Sequence, residues 1–351
     1  MKKLFIYFFA FVIICFILPA LLTKRDMGTF SNEEEQNQTE LGEGEMQNQV
    51  QNETGEQQNS INEQQAAENN LIIKLLHKET GQVEEVNLEN YLCNVVSAEM
   101  PADYELEALK AQAIVARTYT IYKIKNKKHD NADICDDSTC CQAWISKEDR
   151  LARWEESKRE SNWQKIEQCV NETKGKIVTY QNEPINAFFH SNSGGTTEIP
   201  INVWGGSGYP YLQVVQTAGE EGYTQYSSEV TLSQQELLDK LKTKYPDIQI
   251  DFQNQEDIKI LEYTDSNRVK TVKFGNHNLS GVETRTLLGL RSTNFEIIRE
   301  NENIKFSVKG YGHGVGMSQT GANTMAKQGS KAEDIINHFY IGVEIKEINQ
   351  L

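Results

Sequence analysis

The chain has 351 residues, a net charge of −16 and 25% charged residues. That length allows one large domain or two intimate lobes, and the acidic balance argues against nucleic acid as a partner. The charge is unevenly spread: residues 28–70 hold ten Glu and no Lys or Arg, so the remainder from 71 onward is only mildly acidic.

Residues 4–22 run for nineteen positions without a charge, preceded by Lys2 and Lys3. Such a run is long enough to span the hydrocarbon core of a bilayer, and the lysines keep the N-terminus cytoplasmic. Residues 1–27 therefore read as a single-pass anchor in the cell membrane, with everything after it extracytoplasmic. A cleaved signal peptide is the alternative, although the run exceeds a usual h-region and no small-x-small site follows. The Glu/Gln/Asn-rich stretch 28–70 cannot bury enough apolar surface to offset its ordering entropy, and reads as a disordered tether. Residues 71–351 remain for the folded domain.

That domain opens with a hairpin of 71–76 and 83–86 around Thr80 and Gly81. Leu88, Leu92, Val95 and Val96 recur at helical spacing, which predicts a short helix over 87–97 with one apolar face. Pro101 disfavours helix at the residue before it. A second helix then runs to about 125, with Asp103 as N-cap and Leu106, Leu109, Ala113, Ala116 and Ile124 facing inward. Glu99 sits in the elbow, where the C-terminal end of the first helix and its apolar neighbours both favour the protonated acid. After a polar loop (128–145) come a charged helix over 146–169, strands at 176–180 and 185–189, the loop HSNSGGTTE, and further short strands with one helix at 233–243. Helices and strands arrive in unequal blocks, which predicts an α+β fold, as one large domain or two lobes around a cleft.

Several motifs carry chemistry. Gly310, Gly312, Gly314 and Gly316 lack both the P-loop ending and the G-x-G-x-x-G spacing, so close backbone packing explains them better than nucleotide binding. His313 among them is either a site residue or a structural hydrogen-bonder. His129, Cys135 and Cys141, spaced H-x5-C-x5-C, can wrap a tetrahedral zinc, with Cys140 as the alternative sulfur and a disulfide as the rival reading. Cys93 and Cys169 read as a core residue and an incidental thiol. Lys110 and Arg117 share a face of the second helix, as either a solvated stripe or two cations lining a groove beside Glu99. His190 and Ser191 leave a strand toward opposite faces, which argues against a triad built from them.

Taken in order, SAEMP, KAQAIVARTYT, ICDDSTCCQAW, FFHSNSGGTTE and GYGHGVGMSQTGA behind a membrane anchor closely resemble the stage II sporulation protein D family. Its members are membrane-anchored lytic transglycosylases of spore-forming bacteria, which cut peptidoglycan glycan strands during engulfment. They work with the sporulation proteins P, an amidase, and M, a membrane protein. The shared domain also occurs in amidase enhancers.

The resemblance implies that 71–351 is a catalytic domain with Glu99 as its acid. It puts Lys110, Arg117 and Ser191 in or near the glycan groove, and zinc on His129, Cys135 and Cys141. His190, Ser193, His313 and Gln319, from the last two motifs, complete the expected substrate-binding set. Where the family often has His, this chain has Cys140.

Overall fold

The computed structural model describes residues 71–350, so the expected anchor and tether lie outside the described residues. Among the described residues no helix is long and apolar enough to cross a membrane. The chain begins with β1 (Ile72–Leu76), β2 (Val83–Asn87), α1 (Leu88–Glu99), α2 (Leu106–Lys125) and β3 (Ile134–Cys135). It continues through α3 (Lys147–Arg153), α4 (Arg159–Asn171), β4 (Lys176–Tyr180), β5 (Glu183–Pro184), β6 (Phe189–His190) and α5 (Pro200–Trp204). An insertion follows: β7 (Ser227–Ser233), α6 (Gln234–Lys242), β8 (Ile258–Tyr263), β9 (Val269–Phe274), β10 (His277–Ser280), α7 (Gly281–Leu288), β11 (Asn294–Glu300) and β12 (Asn303–Lys309). The chain then returns through β13 (Met317–Ser318), α8 (Gln319–Lys327), α9 (Ala332–Phe339) and β14 (Glu344–Glu347). Helices mixed with short strands in small sheets make the fold α+β, as the irregular blocks predicted.

Two hydrophobic cores divide this region. The larger is built on α2, which packs against α1, α4, β4, α8 and α9. Its sequence is rich in alanine, which favours helix and allows close approach, and every residue from Ala111 to Ile121 is buried. This middle stretch has no solvated stripe, and Tyr119 is the residue of α2 that borders the cleft, so the shared spacing of Lys110 and Arg117 does not place them in a groove. The smaller core lies wholly within the insertion, where sheets β10-β9-β8 and β11-β12-β7 pack with α6 and α7 around Leu237, Phe274 and Phe306.

The differences from the expected elements have local causes. α2 begins at Leu106 rather than beside Asp103, with no side-chain cap of its own; Asn323 Oδ1 instead accepts from Glu105 N at 2.8 Å. The charged helix breaks at Trp154, which is extended, so that α4 can bury Trp163, Ile166, Cys169 and Val170 while α3 buries nothing. The second strand shrinks to Phe189–His190 and pairs in parallel with β13. The glycine loop is tight backbone packing, as read: Gly316 has φ 72°, and a Cβ there would lie 1.9 Å from Phe188 O.

Candidate active site

α1 is started by Asn87, whose side chain accepts from Glu89 N and Asn90 N, and stopped by Met100, extended at φ −126° and ψ 143° ahead of Pro101. Glu99 is thus the last helical residue. Its Oε1 accepts from Ala143 N at 2.7 Å and its Oε2 from Gln319 Nε2 at 3.3 Å. Burial pushes its pKa up to about 7 against the pull of those two donors.

Glu99 borders a cleft of about 270 Å³ together with Tyr119, Ser138, Cys141, Phe188, Phe189, His190, Ser191, Tyr311, Gly312, His313 and Gln319. Among the described residues no second carboxylate lines it. Neither Glu198 nor Asp103 supplies a second carboxylate to it. Glu198 is buried, accepting from Ile199 N and Asn202 on one oxygen and from Thr264 and Ser266 on the other. Asp103 is exposed and borders no part of the cleft.

Two histidines face each other in this cleft, ring centroids 5.8 Å apart. His190 bonds through Nδ1 to Val315 O at 3.1 Å, so Nδ1 carries the proton and the buried Nε2, which has no partner, is a bare acceptor. Burial and the nearby Arg268 push its pKa down to about 3. His313 is the opposite tautomer, its Nδ1 accepting from Val315 N at 3.0 Å. Enclosure, His190 and two arginines hold it neutral as well.

Of the expected substrate-binding residues, the structure therefore brings His190, Ser191, His313 and Gln319 to the Glu99 cleft, and it does not bring Lys110, Arg117 or Ser193. Arg117 is fully buried, its Nε and Nη2 reaching Glu89 at 3.0 and 2.6 Å and its Nη1 reaching Lys176 O. Lys110 pairs with Glu107 and Glu172. Both cations are spent on other carboxylates, and neither acts on Glu99. Ser193 lies behind the cleft, giving its hydroxyl to the fully buried Glu220, which also accepts from Ser318 and Thr320 on either side of Gln319. Glu220 thus fixes the backbone that carries the Gln319 donor. Sequence reasoning missed it, along with Tyr119, Phe188 and Tyr311.

The cluster that could hold a metal is larger than the triad expected. His129, Cys135, Cys140 and Cys141 place four donor atoms all within 4.8 Å of one another. Cys140 joins because Cys140 N and Cys141 N both bond Asp137 O, a tight turn that lets adjacent sulfurs face one point. His129 Nε2 lies 3.6 Å from Cys141 Sγ and 3.7 Å from Cys140 Sγ. A tetrahedral zinc with bonds of roughly 2.0–2.3 Å has edges of about 3.5 Å, so the donor set fits such an ion. The five described cysteines are free thiols, and Cys169 is core rather than incidental.

Comparisons with known proteins converge on one family. The chain matches the family described as SpoIID, stage II sporulation protein, over residues 76–180. It is 36% identical over 284 residues to a stage II sporulation protein D of Bacillus amyloliquefaciens, covering 80% of each chain. Against the protein of the same name in Bacillus subtilis strain 168 the identity is 37% over 268 residues, covering 76% of each. A Bacillus subtilis protein named amidase enhancer is 30% identical over a match covering 72% of this chain and 40% of that protein.

Proposed function

Because the chain belongs to the stage II sporulation protein D family, we propose that it is a lytic transglycosylase, cutting the muramic acid to glucosamine bond of peptidoglycan in wall remodelling during sporulation. The observation that carries this reading is a cleft with one carboxylate that holds its proton near neutral pH.

A hydrolase that inverts or retains needs two carboxylates, roughly 5 to 9.5 Å apart. A transglycosylase needs one. Glu99 first gives its proton to the bridging oxygen as the bond to the muramic anomeric carbon breaks. Its carboxylate then takes the proton of the muramic 6-hydroxyl as that oxygen closes on the same carbon, leaving a 1,6-anhydro end and consuming no water. An internal hydroxyl has an effective molarity on the order of 10⁵ M or more, so no external nucleophile is required. A group with pKa about 7 suits both halves of the cycle. His190 borders the same cleft, with its unpartnered Nε2 buried.

His129, Cys135, Cys140 and Cys141 would hold the zinc of this proposal. With three sulfur donors the ion suits a structural role, clipping the loop that presents Ala143 N to Glu99. Partnership with an amidase and a membrane protein, and attachment to the cell membrane by residues 1–27, complete the proposal.

The relative named amidase enhancer favours a second reading, in which the domain grips glycan without cutting it. One experiment separates the two. Glycan digested by the full chain should carry 1,6-anhydro ends by mass spectrometry, and Glu99→Gln should cut about 10²–10⁴-fold more slowly. Reducing muramic ends would refute the transglycosylase, and a stimulated amidase indifferent to Glu99→Gln would favour the grip.

A further inference from the structure

Trp204 leaves 52% of its surface in water, although tryptophan contributes most to stability when buried. The position is built rather than incidental. α5 starts at the buried Pro200, and Glu198 Oε1 anchors it from beneath, accepting from Ile199 N at 2.7 Å and Asn202 Nδ2 at 2.8 Å. The chain leaves the indole through Gly205, Gly206 and Gly208, all in the left-handed region, where an added side chain would meet nothing within 4 Å. The indole packs against Phe188 at 4.6 Å and 33° and against His313 at 5.0 Å and 59°. Both of those residues border the Glu99 cleft. The aromatic wall of the cleft therefore continues outward onto an indole that is supported from within and open to solvent.

We infer that Trp204 is a sugar-stacking platform, an outlying subsite that takes one face of a neutral hexopyranose ring in the strand whose scissile linkage lies at Glu99. The inference rests on the glycan reading of the cleft and adds to it a place and a ring. In a β-linked pyranose with equatorial substituents the axial C–H groups at C1, C3 and C5 share one side as a flat apolar face, and the hydroxyls stay at the rim. Such a ring needs a single aromatic wall. A lipid chain needs apolar surface on several sides, and the open glycine turn beyond Trp204 supplies no second wall.

The test reads binding with the acid removed. The full chain carrying Glu99→Gln is titrated calorimetrically with chitohexaose, an uncharged β-1,4-linked N-acetylglucosamine oligomer. Adding Trp204→Ala should weaken binding about 10-fold, while Trp204→Phe keeps most of it. Tyr263→Ala, which removes an equally exposed aromatic from β8, should change nothing. The platform is overturned if chitohexaose does not bind, if it binds equally well to Trp204→Ala, or if Tyr263→Ala weakens it as much. It is also overturned if Trp204→Ala instead abolishes binding of a free stem peptide. Failure of the acid assignment is a separate outcome, since a Glu99→Gln chain that still cuts glycan would say nothing against stacking on Trp204.

Discussion

Glu89 and Glu99 are the same side chain in the first and last turns of one helix, and the fold treats them in opposite ways. Glu89 lies at the N-terminal end, where the helix dipole favours a negative charge, and the buried Arg117 holds it with two hydrogen bonds. Glu99 lies at the opposite end, where the dipole disfavours the charge. It receives one backbone and one amide donor, no cation, and a pKa of about 7. The difference separates a carboxylate that builds the fold from one that burial keeps protonated to higher pH. Arg117, which its spacing left open as a solvated residue or a groove cation beside the second, belongs to the first.

The sharpest way to break the comparison is to remove Arg117. Arg117→Ala strands Glu89 next to the main core and takes one donor each from Lys176 O and Val170 O, and such a change costs about 3–5 kcal/mol. The expected result is a large fall in the urea midpoint. Cleavage by the fraction that remains folded should be nearly normal. A groove residue would behave the other way round, with intact stability and a raised KM.

Glu99→Gln should do the reverse. A carboxyl whose folded pKa exceeds its unfolded value binds more protons in the native state, so its contribution to stability is lost as pH rises from about 4.5 through about 7. Above pH 7 the buried charge is a burden of up to about 3 kcal/mol, which the neutral amide avoids. Urea melts at pH 5 and pH 8 should therefore show Glu99→Gln stabilised at pH 8 and nearly unchanged at pH 5. An equal effect at both values would mean that Glu99 is not held protonated by burial.

Metal removal should have a smaller effect. Three of the four donors sit in the loop around β3 and the fourth, Cys135, ends that strand, so a chelator should loosen the loop without unfolding the cores, at a cost on the order of 2 kcal/mol and a Tm about 5 °C lower. Because the loop also presents Ala143 N to Glu99, cleavage should fall in parallel. Loss of cleavage with no change in Tm would point instead to metal chemistry in the reaction.

These outcomes bear on what was legible before any coordinates. The helix–elbow–helix around Glu99 could be read, because its apolar spacing and Pro101 are local signals, and the raised acid followed from them. The site of Arg117 could not. Its partners Glu89, Val170 and Lys176 are distant in sequence, and seven-residue spacing says only that Lys110 and Arg117 share a face, not whether water reaches it. Glu220 was hidden for the same reason: its donors come from the loop at 193–195, Thr217, and the start of α8. α7 was missed although its signal was present, since Ser280 and Glu283 form a capping box and Gly289 ends the helix at φ 73°.

The smallest effect gives the finest test of the Glu99 end. Gln319 Nε2 donates to Oε2 at 3.3 Å, a long neutral bond worth about 1 kcal/mol or less. Removing it takes support from the charged form, so the pKa of Glu99 should rise further, by less than about one unit. The replacement has to exclude water, because a water filling a hole left by alanine would solvate the carboxylate and mask the shift. Gln319→Met keeps the volume and loses the donor. On the proposed mechanism the proton is on Glu99 when the glycosidic bond breaks, so the alkaline limb of kcat/KM should move to higher pH in this variant. A limb that moves to lower pH would mean that Gln319 favours the protonated form instead. Glu99 would then owe its raised pKa partly to a neighbour and not to burial alone.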